Sequence, residues 1–188
     1  MTAEPRASTK PSESAAGAEP GEILDSRLAD QFRVFIREVI VHEDRDAGQG
    51  GEYDLRFGAA GDPDLPDNRY VARWTSKVVS GEATEVLGWV GPVTVSMPGG
   101  VLAVGCAGSE QDLLADDTVL GGVAVFDDAQ QWGTGRWWRT VNGRHCDFVF
   151  AVVRGDAPEQ PAPILLGDPT DAPGPADPTP DHYRAVFG

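Results

Sequence analysis

The stretch Glu52-Tyr53-Asp54-Leu55-Arg56-Phe57 decides the fold class, because polar and apolar side chains alternate along all of it. A period of two residues places the apolar side chains on one face of a β-strand and the polar ones on the other. Residues 32–41 and 70–74 show similar alternation. The 23 glycines and 15 prolines favour many turns and short strands, and only residues 23–32 show a weak helical period. We therefore predict an all-β chain.

Two turn motifs further along the chain predict hairpins. Met97-Pro98-Gly99-Gly100 separates two apolar runs, and its Pro-Gly pair suits a tight turn with a positive φ at the glycine. Asn142-Gly143 is a strong signal for a two-residue loop, which fixes the pairing of the strands on either side. In that register Val141 faces Arg144, and Trp138 lies on the face opposite the core.

The number of predicted strands is about eight, which favours an antiparallel β-sandwich, with a closed barrel as the alternative architecture. We expect the sandwich domain to occupy residues 23–156. A disordered tail over residues 1–22 precedes it, and a proline-rich tether with a terminal peptide follows over residues 157–188, which we also expect to be disordered. The sequence has no apolar targeting segment and no run of about 18 apolar residues, so it predicts a cytoplasmic protein.

The charge balance restricts the classes of partner. The chain has 15 Lys+Arg against 30 Asp+Glu, which gives a formal net charge of -15. Binding to a nucleic-acid backbone or to anionic lipid needs clustered cations, so this balance disfavours nucleic acid and simple electrostatic adhesion to a membrane. It favours cations and basic proteins as partners.

Two clusters of carboxylates follow apolar strands, one in residues 42–54 and the other in residues 109–117. Like charges in short loops repel each other unless something compensates them. Ca²⁺ can do so, because it takes about 6–8 oxygen ligands, more than one short loop usually supplies. The two loops together offer enough oxygens, whereas the chain has no set of His and Cys residues spaced for zinc. The alternative is that both clusters are solvated and free of metal.

The first cluster has Asp44 and Asp46 after a strand, and Gly50-Gly51-Glu52-Tyr53 then opens the next one. The second cluster has Glu110-Gln111-Asp112, followed by Asp116-Asp117-Thr118-Val119-Leu120-Gly121. Over about residues 30–153 this layout resembles the C-two domain, a calcium-dependent lipid-binding sandwich named after the second conserved region of protein kinase C. The resemblance implies the following calcium ligands: Asp44, Asp46, Glu52, Glu110, Asp112 and Asp117 or Asp116.

Leu113 and Leu114 lie between the carboxylates of the second cluster. In a C-two-like protein this position suits an apolar loop tip that contacts a membrane or a partner. The alternative is that both leucines pack beneath the loop, because exposed apolar pairs are uncommon outside functional sites.

Other functions rest on fewer residues. No nucleophile motif or phosphate-binding glycine loop accompanies the three histidines, so we expect no enzyme, and His145 and Asp147 form a surface pair. A structural or adaptor subunit is the first alternative, with a C-terminal docking peptide that contains Tyr183 and Phe187. A carbohydrate-binding sandwich is the second, in which sugars stack on aromatic residues. The candidates for that platform are Trp132 and Trp138.

The two cysteines, Cys106 and Cys146, have neither CxxC spacing nor a neighbouring set of zinc ligands. We expect them to be small core residues of a reduced protein, and a disulfide between them is the minority alternative.

Overall fold

The computed structural model describes residues 28–42, 51–63, 65, 68–79, 81–110, 117–119, 121–135, 138–143, 145–155 and 174–188. Its strands are β1 (Leu28–Val41), β2 (Gly51–Ala60), β3 (Arg69–Val78), β4 (Ala83–Met97), β5 (Leu102–Glu110), β6 (Asp117–Val119), β7 (Val123–Phe126), β8 (Arg139–Asn142) and β9 (Cys146–Arg154). A short 3₁₀ turn covers Gln131–Gly133, and the helix α1 covers Pro180–Phe187. Within the described residues, no helix combines the length and the apolar character needed to cross a membrane.

The strands form two antiparallel sheets that pack face to face. One sheet, here called sheet A, has the order β4-β1-β9-β8. In the other, sheet B, the order is β3-β2-β5, and β6 and β7 pair one after the other with the free edge of β5. This arrangement confirms the predicted sandwich of about eight strands, and it excludes the closed barrel. Residues 28–32 belong to strand β1 despite the weak helical period over residues 23–32. Pairing of this stretch with β4 outweighs a weak local preference for helix.

The core lies between the two sheets. The apolar side chains of residues 52–57 enter the core, as their alternation predicts. Tyr53, Leu55 and Phe57 are each at most 2% exposed. The ring centroid of Phe57 on β2 lies 6.1 Å from that of Phe148 on β9, and Phe126 and Phe150 form a second cross-sheet pair at the same distance. Burial of a side chain of this size contributes about 1.5–3 kcal/mol. Contacts between the sheets therefore hold the sandwich together.

The turn at residues 97–100 forms, but it does not close the predicted hairpin. Gly99 has a φ of 92°, and the Gly100 N–H donates to the Ser96 carbonyl at 2.9 Å. β4 nevertheless pairs with β1, whereas β5 pairs with β2. The Asp62 carboxylate accepts hydrogen bonds from the N–H groups of Ser96, at 2.7 Å, and of Val101, at 3.3 Å. Asp62 thus takes up main-chain donors on both sides of the turn, and the chain crosses from one sheet to the other.

The β8–β9 hairpin forms in a register that differs from the predicted one. Val141 lies opposite Phe148 and not opposite Arg144, so the loop is longer than two residues. β9 is a central strand whose register is set by β1, and the loop before it adapts. The shift is an even number of residues, which leaves each side chain on its predicted face. Trp138 therefore stays on the side away from the core.

The predicted disordered C-terminal tail does not extend over residues 174–188, which fold onto the outer face of sheet B. The Ala176 N–H donates to the Val125 carbonyl at 2.8 Å and so extends the sheet at β7. Thr179 then caps α1: its N–H donates to His182 Nδ1 at 3.0 Å, and Pro180 occupies the first helical position. The helix closes a small second apolar cluster, which consists of Ala60, Ala103, Val123, Val125 and Val186.

Two glycines on the outer face of sheet B make room for α1. A Cβ added to Gly58 would lie 2.5 Å from Val186 Cγ1, and one added to Gly105 would lie 2.9 Å from the Phe187 ring. Val186 is fully buried in this position. The helix thus packs at a distance that requires glycine on the strands beneath it.

We expect Gly58→Ala to displace α1, because its methyl group overlaps Val186 and overpacking of this kind costs about 1–3 kcal/mol. The measurements are the free energy of unfolding in urea and the hydrogen exchange of the amides in α1. Gly174→Ala is the matched control, since nothing lies within 4 Å of its added Cβ, and it should stay within about 0.5 kcal/mol of the wild type. Equal stability and equal exchange in the two variants would contradict this account of the docking.

Candidate functional site

Both acidic segments are attached to the same end of sheet B. Tyr53, near the start of β2, lies opposite Glu110 at the end of β5, and Glu110 lies opposite Asp117 at the start of β6. Residues 43–50 lead into β2, and residues 111–116 connect β5 to β6. The structure therefore brings together the points at which the two carboxylate clusters join the sandwich.

Glu110 is a buried candidate ligand at this end of the sheet, with 3% of its surface exposed. Its carboxylate lies against Gly51, where an added Cβ would come within 2.3 Å of Glu110 Oε1. Gly51 has no side chain and so leaves room for that approach. Burial of an ionised carboxylate is costly unless it is paired, hydrogen-bonded or bound to a metal. Glu110 therefore places a carboxylate with little solvent exposure where the two acidic segments join the sheet.

The remaining candidate ligands are described less fully. Glu52 is exposed, and its Oε1 lies 3.3 Å from Lys77 Nζ. For Asp117 the structure gives the main chain of β6 alone. The other predicted residues of this site lie outside the described residues: Asp44, Asp46, Asp112, Leu113, Leu114 and Asp116. In the part of the chain that is described, no three or more His, Cys, Asp or Glu side chains are grouped so as to hold a metal ion.

A His–Asp pair borders the first acidic segment. His42 immediately precedes that segment, and its Nε2 lies 2.9 Å from Asp147 Oδ1. The His42 N–H also donates to the His145 carbonyl at 2.9 Å. Asp147 is thus paired with His42. The surface pair of His145 and Asp147 that was predicted from their spacing along the strand is wrong. The difference arises because β1 and β9 are neighbours, which spacing within one strand cannot show.

A basic row that was not predicted from the sequence lies on the outer face of sheet B. Arg69, Arg73 and Lys77 are exposed along β3, and Arg56 lies directly opposite Arg73 on β2. The even spacing of the three β3 residues places them on one face, and that spacing is the signal that could have revealed them. Arg73 donates hydrogen bonds of 2.6 and 2.5 Å to the two carboxylate oxygens of Asp54. Asp54 on the neighbouring strand therefore neutralises part of the positive charge of the row.

The two tryptophans of the predicted carbohydrate platform lie in different environments. Trp132 packs in the core against Phe32, and its Nε1 donates to the Gly100 carbonyl at 3.0 Å. A sugar-stacking role for Trp132 is therefore wrong. Trp138 is half-buried, with its ring centroid 6.1 Å from that of Phe35 and 5.1 Å from the Arg37 guanidinium carbon. Partner binding by Trp138 stays a prediction.

The predicted docking residues of the C-terminal peptide differ in their exposure. Tyr183 is 44% exposed on α1. Phe187 is half-buried and packs near Gly105 of its own sheet B. Binding of a separate partner by these two residues stays a prediction. The contact of Phe187 with sheet B of its own chain would compete with such binding.

Comparisons with known proteins give a distant structural likeness. No family model matches the chain, and no curated protein matches it. One similar structure is human GIVD cytosolic phospholipase A2 in complex with methyl gamma-linolenyl fluorophosphonate inhibitor and terbium chloride, with a TM-score of 0.42. Another is the same human enzyme in complex with methyl gamma-linolenyl fluorophosphonate, with a TM-score of 0.41. Each is 11% identical over 71% of this chain, which spans only 18% of the length of those chains.

The ion pair between Asp54 and Arg73 predicts an acid-sensitive contribution to stability. The hydrogen bond from Arg73 lowers the pKa of Asp54 below its ordinary value of 3.8, and partial burial opposes this effect. A carboxyl group with a lowered pKa stabilises the fold above the unfolded-state pKa and loses that contribution as the pH falls through the folded-state value.

We therefore expect the stability difference between the wild type and Asp54→Asn to be constant near neutral pH and to shrink below about pH 4. The measurement is urea unfolding from pH 7 down to pH 2. Arg73→Gln should reproduce the pH dependence of Asp54→Asn, and added salt should weaken the difference because the pair is exposed. A difference that grows on acidification would refute the assignment.

Proposed function

We propose that this chain is a calcium-binding, C-two-like module that acts through its two acidic segments and catalyses no reaction. The observation that carries the proposal is the buried carboxylate of Glu110 at the point where both segments join sheet B. The like charges of two carboxylate-rich segments that join the sheet next to this carboxylate repel each other, which favours a bound cation. The resemblance of the acidic motifs to the C-two family supports the same conclusion.

The donor set fits a hard cation, because the proposed ligands are all carboxylates. They are Asp44, Asp46, Glu52, Glu110, Asp112 and Asp117 or Asp116. Ca²⁺ takes about 6–8 oxygen ligands in flexible geometry, whereas Mg²⁺ retains its waters and uses fewer carboxylates. The ion would neutralise the segments and order them, so its role is structural and electrostatic. Ordering would present Leu113 and Leu114 to a protein partner or a membrane surface.

We expect calcium to raise the melting temperature of the protein. A ligand that binds only the folded state adds about 2.7 kcal/mol at a hundred times its dissociation constant. For a chain of this size that corresponds to a shift of roughly 5–10 °C. Parallel melts in calcium, magnesium and a chelator measure the effect, and no shift at millimolar calcium would favour the metal-free alternative.

We expect Glu110→Gln combined with Asp112→Asn to abolish the calcium shift. The variant should melt at the same temperature in calcium and in chelator, because it lacks two of the proposed ligands. Isothermal titration with calcium and melts in calcium and in chelator check binding and stability separately.

The matched control is Asp128→Asn combined with Asp177→Asn, which changes the formal charge equally at two exposed positions. Asp128 follows β7 at the opposite end of sheet B from Glu110, because Phe126 lies opposite Leu102 at the start of β5. This control should keep the full calcium shift. A calcium shift lost equally in both double variants would point to general charge screening and away from a site.

A further inference from the structure

Two thiols, one from each sheet, meet in the core. Cys106 lies on β5 of sheet B and is 1% exposed, and Cys146 lies at the start of β9 of sheet A and is fully buried. Both are free thiols that belong to the same apolar cluster. Each side chain therefore faces the space between the sheets, as expected for core cysteines.

The fold brings the two residues together through close backbone contacts. The Cys106 N–H donates to the Gly122 carbonyl at 3.0 Å, and a Cβ added to the adjacent Gly121 would lie 3.0 Å from Cys106 Cβ. A Cβ added to Gly143 would lie 2.5 Å from the Gly121 carbonyl carbon and 2.3 Å from the Cys146 carbonyl oxygen. Gly121, which lies against Cys106, is therefore also in close contact with Gly143, which lies against Cys146.

The surroundings keep the Cys106 thiol protonated. Burial raises the pKa of the Cys106 thiol well above its usual value, and the hydrogen bond with the neighbouring Cys146 thiol raises it further. A protonated, buried thiol reacts slowly with oxidants because the thiolate is the nucleophile. Reaction of this pair therefore requires a local opening, for which the short edge strand β8 beside β9 is suited.

We infer that Cys106 and Cys146 form a modification site, at which a disulfide-class oxidant links sheet A to sheet B through a reversible disulfide. One cysteine thiolate attacks the oxidant's S–S bond, forms a mixed disulfide and releases one thiol. The second cysteine then attacks the protein sulfur of the mixed disulfide and releases the other thiol. The protein loses two thiol protons and two electrons, and the oxidant is reduced to two thiols.

The bond would close a ring over residues 106–146, which contains β6, β7 and β8. A covalent link between two strands of opposite sheets restricts the unfolded chain and stabilises the fold, provided that the native geometry accepts it without strain. Neither cysteine belongs to the proposed calcium site, so formation of the disulfide does not depend on metal binding.

The test is the equilibrium between the dithiol and the disulfide in mixtures of reduced and oxidised glutathione. The full chain is equilibrated once under native conditions and once in concentrated guanidinium chloride, and the products are trapped by alkylation and identified by mass spectrometry. We expect the disulfide to be favoured roughly 100-fold more in the native protein than in the denatured one. The oxidised protein should also melt roughly 5–10 °C higher than the reduced one.

Cys106→Ala and Cys146→Ala are the controls, and neither should gain an intramolecular disulfide or the rise in melting temperature. The central measurement uses the wild type alone, so it does not depend on whether these variants fold. A native preference equal to or below that of the denatured chain would overturn the inference. So would native products that are only disulfide-linked dimers or mixed disulfides with glutathione.

Discussion

Strand β1 pairs with two neighbours along most of its length, and the rest of the sandwich depends on this double pairing. Phe32 lies opposite Val93 of β4 and opposite Arg154 of β9, and both ladders continue almost to the end of β1. The same strand contributes a row of core side chains that are at most 1% exposed: Phe32, Val34, Ile36, Val39 and Val41. Because β1 fixes the register of β9, it also determines the longer β8–β9 loop and the contact between His42 and Asp147.

Sheet B differs from sheet A because other parts of the chain pack against both of its faces. Its inner face meets the aromatic residues of β9, whereas its outer face carries both α1 and the basic row. Glycines inside strands usually weaken a sheet because they offer no side chain for packing. At Gly58 and Gly105 the loss is offset by Val186 and Phe187, which fill the space that the missing side chains leave. The end of the chain thus completes the sheet from outside.

The alternation in residues 52–57 and the face of Trp138 could be predicted from the sequence, because both depend on a local period of two. The pairing partners could not, because they depend on distant groups. Pro98-Gly99 specifies a turn, but Asp62, far back in the chain, takes up the donors on both sides of it. The Thr179 cap gave a local signal for α1 that the proline-rich composition concealed. The burial of Glu110 follows from its approach to Gly51 on another strand, which no spacing along the chain reveals.

In the proposed calcium site, Glu110 and Glu52 would contribute in different ways. Glu110 is held in place by the packing around it, so it can define the position of an ion at the base of the site. Glu52 is exposed and paired with Lys77, whose side chain is 74% exposed. An exposed pair of this kind is worth about 0–1 kcal/mol, so a divalent ion can displace the lysine at little cost. A fixed buried ligand combined with an adjustable exposed one allows a site on a rigid sheet to accept the irregular geometry that calcium prefers.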